Sequence, residues 1–272
     1  MYATQAPYRH LAEELMNYER SATYSEVLVP WLGENQREVL WLQEFGRRVG
    51  SPIPSASSEE LCRLYALGRV CETLLLRFQS GQVDEWPGPH LTLGEYESFA
   101  QALGLATSRP ISYSPFHHEI TALVESNDPD QPVRLTAYDW PCLTLGTMLF
   151  SRAGVRVSAG ARKLAPGVAN SSTIYWAYRR KCRPCHDLSE GWGSNSQWAT
   201  KFRRDYWIGN KFWFNVDGKV DLSRTPLSPD EYGLSPAERV ELLTNRCLVT
   251  TNKANNNLWP YDDTICLAAN AV

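Results

Sequence analysis

Cys182-Arg183-Pro184-Cys185-His186 sets two thiols around a two-residue spacer, with an imidazole directly after the second. Thiolates at this spacing reach one metal ion, and the run also matches the C-x-x-C-H pattern of covalent haem attachment. Haem attachment belongs to exported proteins, and residues 1–10 lack the charged start and apolar run of a secretory signal. A zinc site needs further ligands, but Cys247 and Cys266 stand alone, and only the fold could bring up His117, His118 or His186. A redox pair would want a strand running into a helix, which the flanking residues do not suggest. The expectation is a turn with two ordinary thiols. No cofactor and no metal is expected, with Cys182, Cys185 and His186 as the weak candidates for one.

Gly191-Trp192-Gly193-Ser194-Asn195-Ser196-Gln197-Trp198 is the most unusual stretch. Two glycines permit tight turns or close approach to a ligand. Ser194, Asn195, Ser196 and Gln197 offer donors and acceptors between two indoles, a combination suited to a sugar, a base or a peptide backbone. The run is neither a phosphate-binding loop, which needs Gly-Lys-Ser/Thr, nor a G-x-S-x-G nucleophile elbow, because the second glycine is missing. Arg203 and Arg204 follow closely as a charged rim. In an enzyme built here, His186 or Asp187 would serve as acid or base and Arg204 would bind substrate charge. In a binding protein, the surface would comprise Arg179, Arg180, Trp192, Asn195, Gln197, Trp198, Arg203 and Arg204.

His117-His118-Glu119 could hold a metal or supply a general base. On a strand, His117 and Glu119 share one face and His118 takes the other, so a mixed polar strand edge is the simpler reading. Asp262 and Asp263 have no spacing that fixes them to one face and read as solvated turn residues.

Charge is unevenly spread. Residues 1–105 hold eight Arg and no Lys against fourteen acids, a net −6; residues 176–213 hold eight Lys and Arg against three acids, a net +5. Five of the ten tryptophans fall in that basic segment. Guanidinium groups grip carboxylates and phosphates bidentately, and indoles stack on flat groups. The same residues also dominate protein interfaces. They could equally pair with the acidic helical half of the same chain. A sequence pI near 6.0 counts against a general nucleic-acid binder.

These residues need elements to hold them. Apolar spacing predicts helices over residues 8–20, 34–49, 58–78 and 92–104. Thr23/Glu26, Ser57/Glu60, Thr92/Glu95 and Ser235/Glu238 have capping-box spacing, the last with Pro236 opening a helix of about ten residues. Beyond residue 108 strand patterns take over, at 119–125, 133–138 and 173–178, with Ile174 and Trp176 on one face of the last. Residues 159–172 read as a surface loop. Asp217-Gly218, between 211–215 and 219–222, is the strongest hairpin signal. Residues 247–251 read as a last strand and 252–257 as a polar turn.

The fold class is α+β: an N-terminal helical, bundle-like part, then a mixed, mainly antiparallel sheet with a late helix. The division falls into an acidic helical region, 1–108, and a basic, Trp-rich α+β region, 109–272, which could form one continuous domain. No apolar run approaches the ~20 residues of a membrane span, so a cytoplasmic location is expected. Functionally, the residues point first to a protein-binding protein, such as a toxin-neutralising immunity protein or an inhibitor. The alternatives are an enzyme acting on an anionic or nucleotide-containing substrate around Trp192 and Trp198, and a nucleic-acid-binding module.

Overall fold

The computed structural model describes residues 3–48, 50, 52–81, 86–186, 198, 200–224, 233–251 and 261–269. The chain is α+β, with helices first and a late helix among strands. Three helices begin where their capping boxes place them. Ser57 and Glu60 satisfy each other's backbone N–H groups at the start of α4 (Ser58–Leu75). Thr92 and Glu95 do so for α5 (Leu93–Ala102), and Ser235 and Glu238 for α6 (Pro236–Asn245). Each cap is worth ~1 kcal/mol and depends on four adjacent residues, so it forms wherever no other group takes the box carboxylate.

The Thr23/Glu26 spacing does not make a box. Thr23 is itself helical, and Glu26 is taken by the Tyr18 hydroxyl at 2.7 Å and Arg20 at 3.1 Å. After α1 (Ala6–Asn17), the chain runs through a π-helical turn (Tyr24–Leu28) directly into α2 (Val29–Glu34) and α3 (Gln36–Gly46). Pro30 opens α2, where its missing N–H is not needed.

The strands are β1 (Ala106–Ser108), β2 (His118–Glu125), β3 (Arg134–Trp140), β4 (Cys142–Leu145), β5 (Met148–Ser151), β6 (Ala153–Ala159), β7 (Ile174–Tyr175), β8 (Cys185–His186), β9 (Asp205–Ile208), β10 (Lys211–Phe214), β11 (Val220–Asp221) and β12 (Asp263–Ala268). They form three sheets, ordered β1-β4-β5-β9-β10-β12-β11, β2-β6-β3 and β7-β8. Pairing is mainly antiparallel, with parallel contacts at β2–β6, β7–β8 and β11–β12.

Asp217-Gly218 is a turn but closes no hairpin, because β12 lies between β10 and β11. The true two-residue hairpins are Gly146-Thr147 between β4 and β5 and Gly209-Asn210 between β9 and β10. Both have glycine first with φ near +60°, the position at which a II′ turn demands it. The expected strand at 173–178 stops at Tyr175, because Trp176 turns left-handed with φ +56°. Residues 247–251 form no strand. The expected surface loop at 159–172 buries Leu164, Val168 and Ala169, so it is partly core. The polar turn at 252–257 lies outside the described residues.

One core joins α1, α3, α4 and α5 to Trp140, Leu143, Leu145, Met148, Phe150 and Tyr206, so it crosses residue 108. A second packs β6 and Phe116 against Phe212, Phe214 and Ile265, closed by Leu243 of α6. Among the described residues, no helix is long and apolar enough to cross a membrane.

Candidate anion-binding cleft

Helix α4 buries more residues than any other described helix, and Arg69 and Glu72 sit on its inner side one turn apart, with Tyr65 one turn before. They face residues 176–178 and 200–203 across a narrow cleft with about 40 Å³ of open space. Its described charged lining is Arg69, Lys201, Arg203 and Arg246 against the single carboxylate Glu72. Rings of Trp176, Tyr178 and Phe202 form much of the wall. Trp176, Lys201, Phe202 and Arg203 also line a second, roomier cleft of about 320 Å³, edged by Asp217, Lys219 and Tyr261.

The cations are held by stacking and by one buried acid. The Arg69 guanidinium lies 3.9 Å from the Tyr178 ring centre and 4.5 Å from that of Trp198. Arg203 lies 4.4 Å over Trp176. Such contacts contribute ~0.5–2 kcal/mol each. A tryptophan at φ +56° is strained, and this one borders both clefts.

Behind the wall, Asp205 is fully buried. It accepts from Arg203 Nε at 2.9 Å, Arg246 Nη2 at 3.0 Å and the Asn215 N–H at 2.7 Å. Arg152 adds a third guanidinium to this cluster, its outer nitrogens donating to the Thr244 and Asn245 carbonyls at 2.5 and 2.6 Å. Arg203 likewise donates to the Leu243 carbonyl, so the negative end of α6 carries part of the load. It does not carry all of it. Burial and mutual repulsion press Arg203 down to about 9 and Arg152 to about 10, and Arg203 Nη1 has no hydrogen-bond partner among the described residues.

The cluster on the far side of Glu72 has the opposite imbalance. Arg180 lies between two carboxylates, meeting Glu119 at 2.6 and 3.0 Å and Glu72 at 3.2 Å. Burial opposes the Glu119 charge, but Arg180 overcomes it and holds Glu119 below its ordinary value. Burial wins at Glu72, which is raised despite Arg180 and the Tyr178 N–H.

The basic segment therefore points largely inward. Arg180, Arg203 and Arg204, expected at a surface, are buried; Arg204 is clamped by Asp217 at 2.6 and 2.8 Å and by the Pro54 carbonyl at 2.8 Å. Arg180 pairs with the acidic helical part through Glu72. Arg179 is half-buried, its carbonyl accepting from Arg180. Trp198 is half-buried against the helical core, its carbonyl accepting from Gln5 at 2.5 Å. Asp187, Trp192, Asn195 and Gln197 lie outside the described residues.

His186 packs on Tyr175, 5.9 Å between ring centres, while Arg204 is held by Asp217, Pro54 and Tyr206, so these two catalytic candidates have different surroundings. Cys182 and Cys185 are free thiols, and burial raises both. Among the described residues, no three His, Cys, Asp or Glu side chains are placed to hold a metal. His117, His118 and Glu119 diverge onto an aromatic cluster, Tyr138 and Arg180 respectively. Asp263 is not a solvated turn residue: it is buried in a bidentate pair with Arg239 at 2.5 and 2.8 Å.

Comparison with protein-family models, curated proteins and solved structures finds no match for this chain. The cleft is therefore read from its own chemistry. Sequence reasoning missed Arg69, Glu72, Trp176, Lys201 and Arg246 as one group. The usable signal was Arg69 and Glu72, charges placed on the inner face of an apolar helix.

Proposed function

We propose that this chain is a ligand-binding protein whose narrow cleft receives the anionic end of a small molecule with a flat, apolar body. The observation that carries the reading is the charge of the cleft: four cationic side chains against one carboxylate among its described lining, in a space only large enough for a small group. Aromatic walls suit the flat part, and a bound anion would relieve the repulsion among Arg152, Arg203 and Arg246. This keeps the anionic-substrate class expected from the sequence but moves the site to α4 and residues 176–178 and 200–203.

Benzenesulfonate is a suitable probe, with benzenesulfonamide as its neutral twin. Calorimetry should show the sulfonate binding and the sulfonamide at least tenfold weaker. Lys201→Glu, an exposed position at the cleft, should weaken the sulfonate about tenfold, as reversing a charge a few ångströms away is worth roughly 1–2 kcal/mol. Lys219→Glu, which borders only the roomier cleft, should leave it unchanged. Equal affinity for the two probes sinks the reading, and sensitivity to Lys219 alone moves the ligand to the other cleft.

The protein-partner reading, as an immunity protein or an inhibitor, rests on a different residue. Trp207 on β9 is 49% exposed, an uncommon state for an indole and the kind of side chain that anchors interfaces. In that reading a stoichiometric partner loses at least ~2 kcal/mol of affinity on Trp207→Ala. A partner that tolerates the change removes this support. A nucleic-acid module would need the basic segment at the surface, and Arg180, Arg183, Arg203 and Arg204 are buried.

A further inference from the structure

We propose that Glu72 is the proton-exchanging residue of this cleft: an anion entering it binds together with one proton, taken up by the Glu72 carboxylate. The inference rests on the anion-binding reading above and adds the form in which the ligand is held, as the acid, anion plus proton.

The geometry carries it. Two carboxylates share the one Arg180 guanidinium, and they share it unequally. Glu119 takes the bidentate contact and Glu72 a single longer one, completed by the Tyr178 N–H. Arg183 and Arg152 also act on Glu119. Apart from Arg180 and the cations of the cleft, the groups that act on Glu72 are neutral or negative: Cys71 on its own helix, Tyr96 on α5, Cys185 on β8 and the Glu119 carboxylate on β2. Glu119 is therefore the carboxylate that stays ionised, and Glu72 is the one that takes a proton. Glu72 is also the one that lines the cleft.

An arriving anion acts on Glu72 in two ways with the same sign. It adds a negative charge within a space of about 40 Å³, and it neutralises Arg69, Lys201, Arg203 and Arg246, whose field had favoured the ionised carboxyl. Both effects favour the protonated form. The balance is simple: one proton leaves the solvent, one O–H bond forms on Glu72, and no other bond changes.

Benzenesulfonate tests this cleanly, because it does not itself titrate near neutrality. Calorimetry in two buffers of different ionisation enthalpy, from pH 5 to 8, reads the protons taken up per anion bound. Uptake should approach one at the alkaline end and vanish at the acid end, with affinity falling up to tenfold per pH unit where uptake is full. Glu72→Gln keeps an oxygen for the Tyr178 N–H and mimics the protonated acid. It should bind at least as tightly as wild type at pH 8, with no uptake. Wild-type binding without proton uptake, or uptake that persists in Glu72→Gln, overturns this inference and leaves the anion site standing. Absence of any binding overturns both.

Discussion

Asp205→Ala is expected to cost about 3–5 kcal/mol, enough to leave the chain largely unfolded at ambient temperature. The Asp205 carboxylate is fully buried and is the acid that Arg203 and Arg246 share, with Arg152 close behind. Removing it leaves guanidinium groups in a low-dielectric interior facing chiefly the carbonyl end of α6. The same deletion also strands the Asn215 N–H, at the left-handed residue that ends β10. Asp205→Asn keeps the shape and one acceptor, so it should fall between the two. Asp217→Ala is the matched control. It breaks a bidentate pair of similar lengths with Arg204, but the Asp217 side chain is 37% exposed, so water takes over and the loss should stay near 1 kcal/mol. Urea midpoints rank the variants. An Asp205→Ala protein within 1 kcal/mol of wild type would show that α6 alone neutralises the cluster. A bound anion should rescue part of the loss in Asp205→Asn, since it supplies charge to the same arginines.

What could be read from the sequence divides by distance along the chain. Capping boxes at Ser57, Thr92 and Ser235 were legible because all their partners lie within four residues. Thr23 failed because Tyr18, upstream of the box, takes the Glu26 carboxylate. Asp217-Gly218 failed because a strand more than forty residues later enters between its arms. Gly209-Asn210 is just as local a turn signal, and there the adjoining strands do pair with each other. The arginines show the limit most clearly. Composition marks residues 176–213 as basic and suggests a surface. Arg180 meets its carboxylates 61 and 108 residues away, and Arg239 meets Asp263 24 residues on. No spacing rule announces such pairs. The charge imbalance between the two halves was real, and part of it is resolved inside the molecule, across α4.

Acid should destabilise the protein well above the range in which ordinary carboxylates titrate, because of His117 and His118. Burial is the main cause that lowers both to about 4; Arg152 adds to it at both rings and the His118 charge adds at His117, while the Ser114 and Pro110 backbone partly opposes it at His118. His118 accepts the Ser114 N–H on Nδ1 at 3.0 Å and meets the Tyr138 hydroxyl through Nε2 at 3.0 Å, so protonating Nδ1 removes an acceptor that the backbone uses. His117 lies edge-on among the rings of Phe116, Trp207 and Phe212. Folded rings stay neutral down to about pH 4, whereas unfolded ones take up protons near 6.5. Between these values the unfolded chain binds more protons, so stability is intact above 6.5 and falls as pH drops towards 4. The loss should reach on the order of 2 kcal/mol per ring, and a urea midpoint that is unchanged from pH 7 to 5 would sink the idea. His118→Gln should remove roughly half of the slope. Glu72 pulls the other way. Its raised value means that the fold holds that proton more tightly than the unfolded chain does, which adds stability on acidification. Glu72→Gln should therefore steepen the acid loss while leaving the histidines untouched, so the same variant that abolishes proton uptake by the cleft also separates the two opposing titrations.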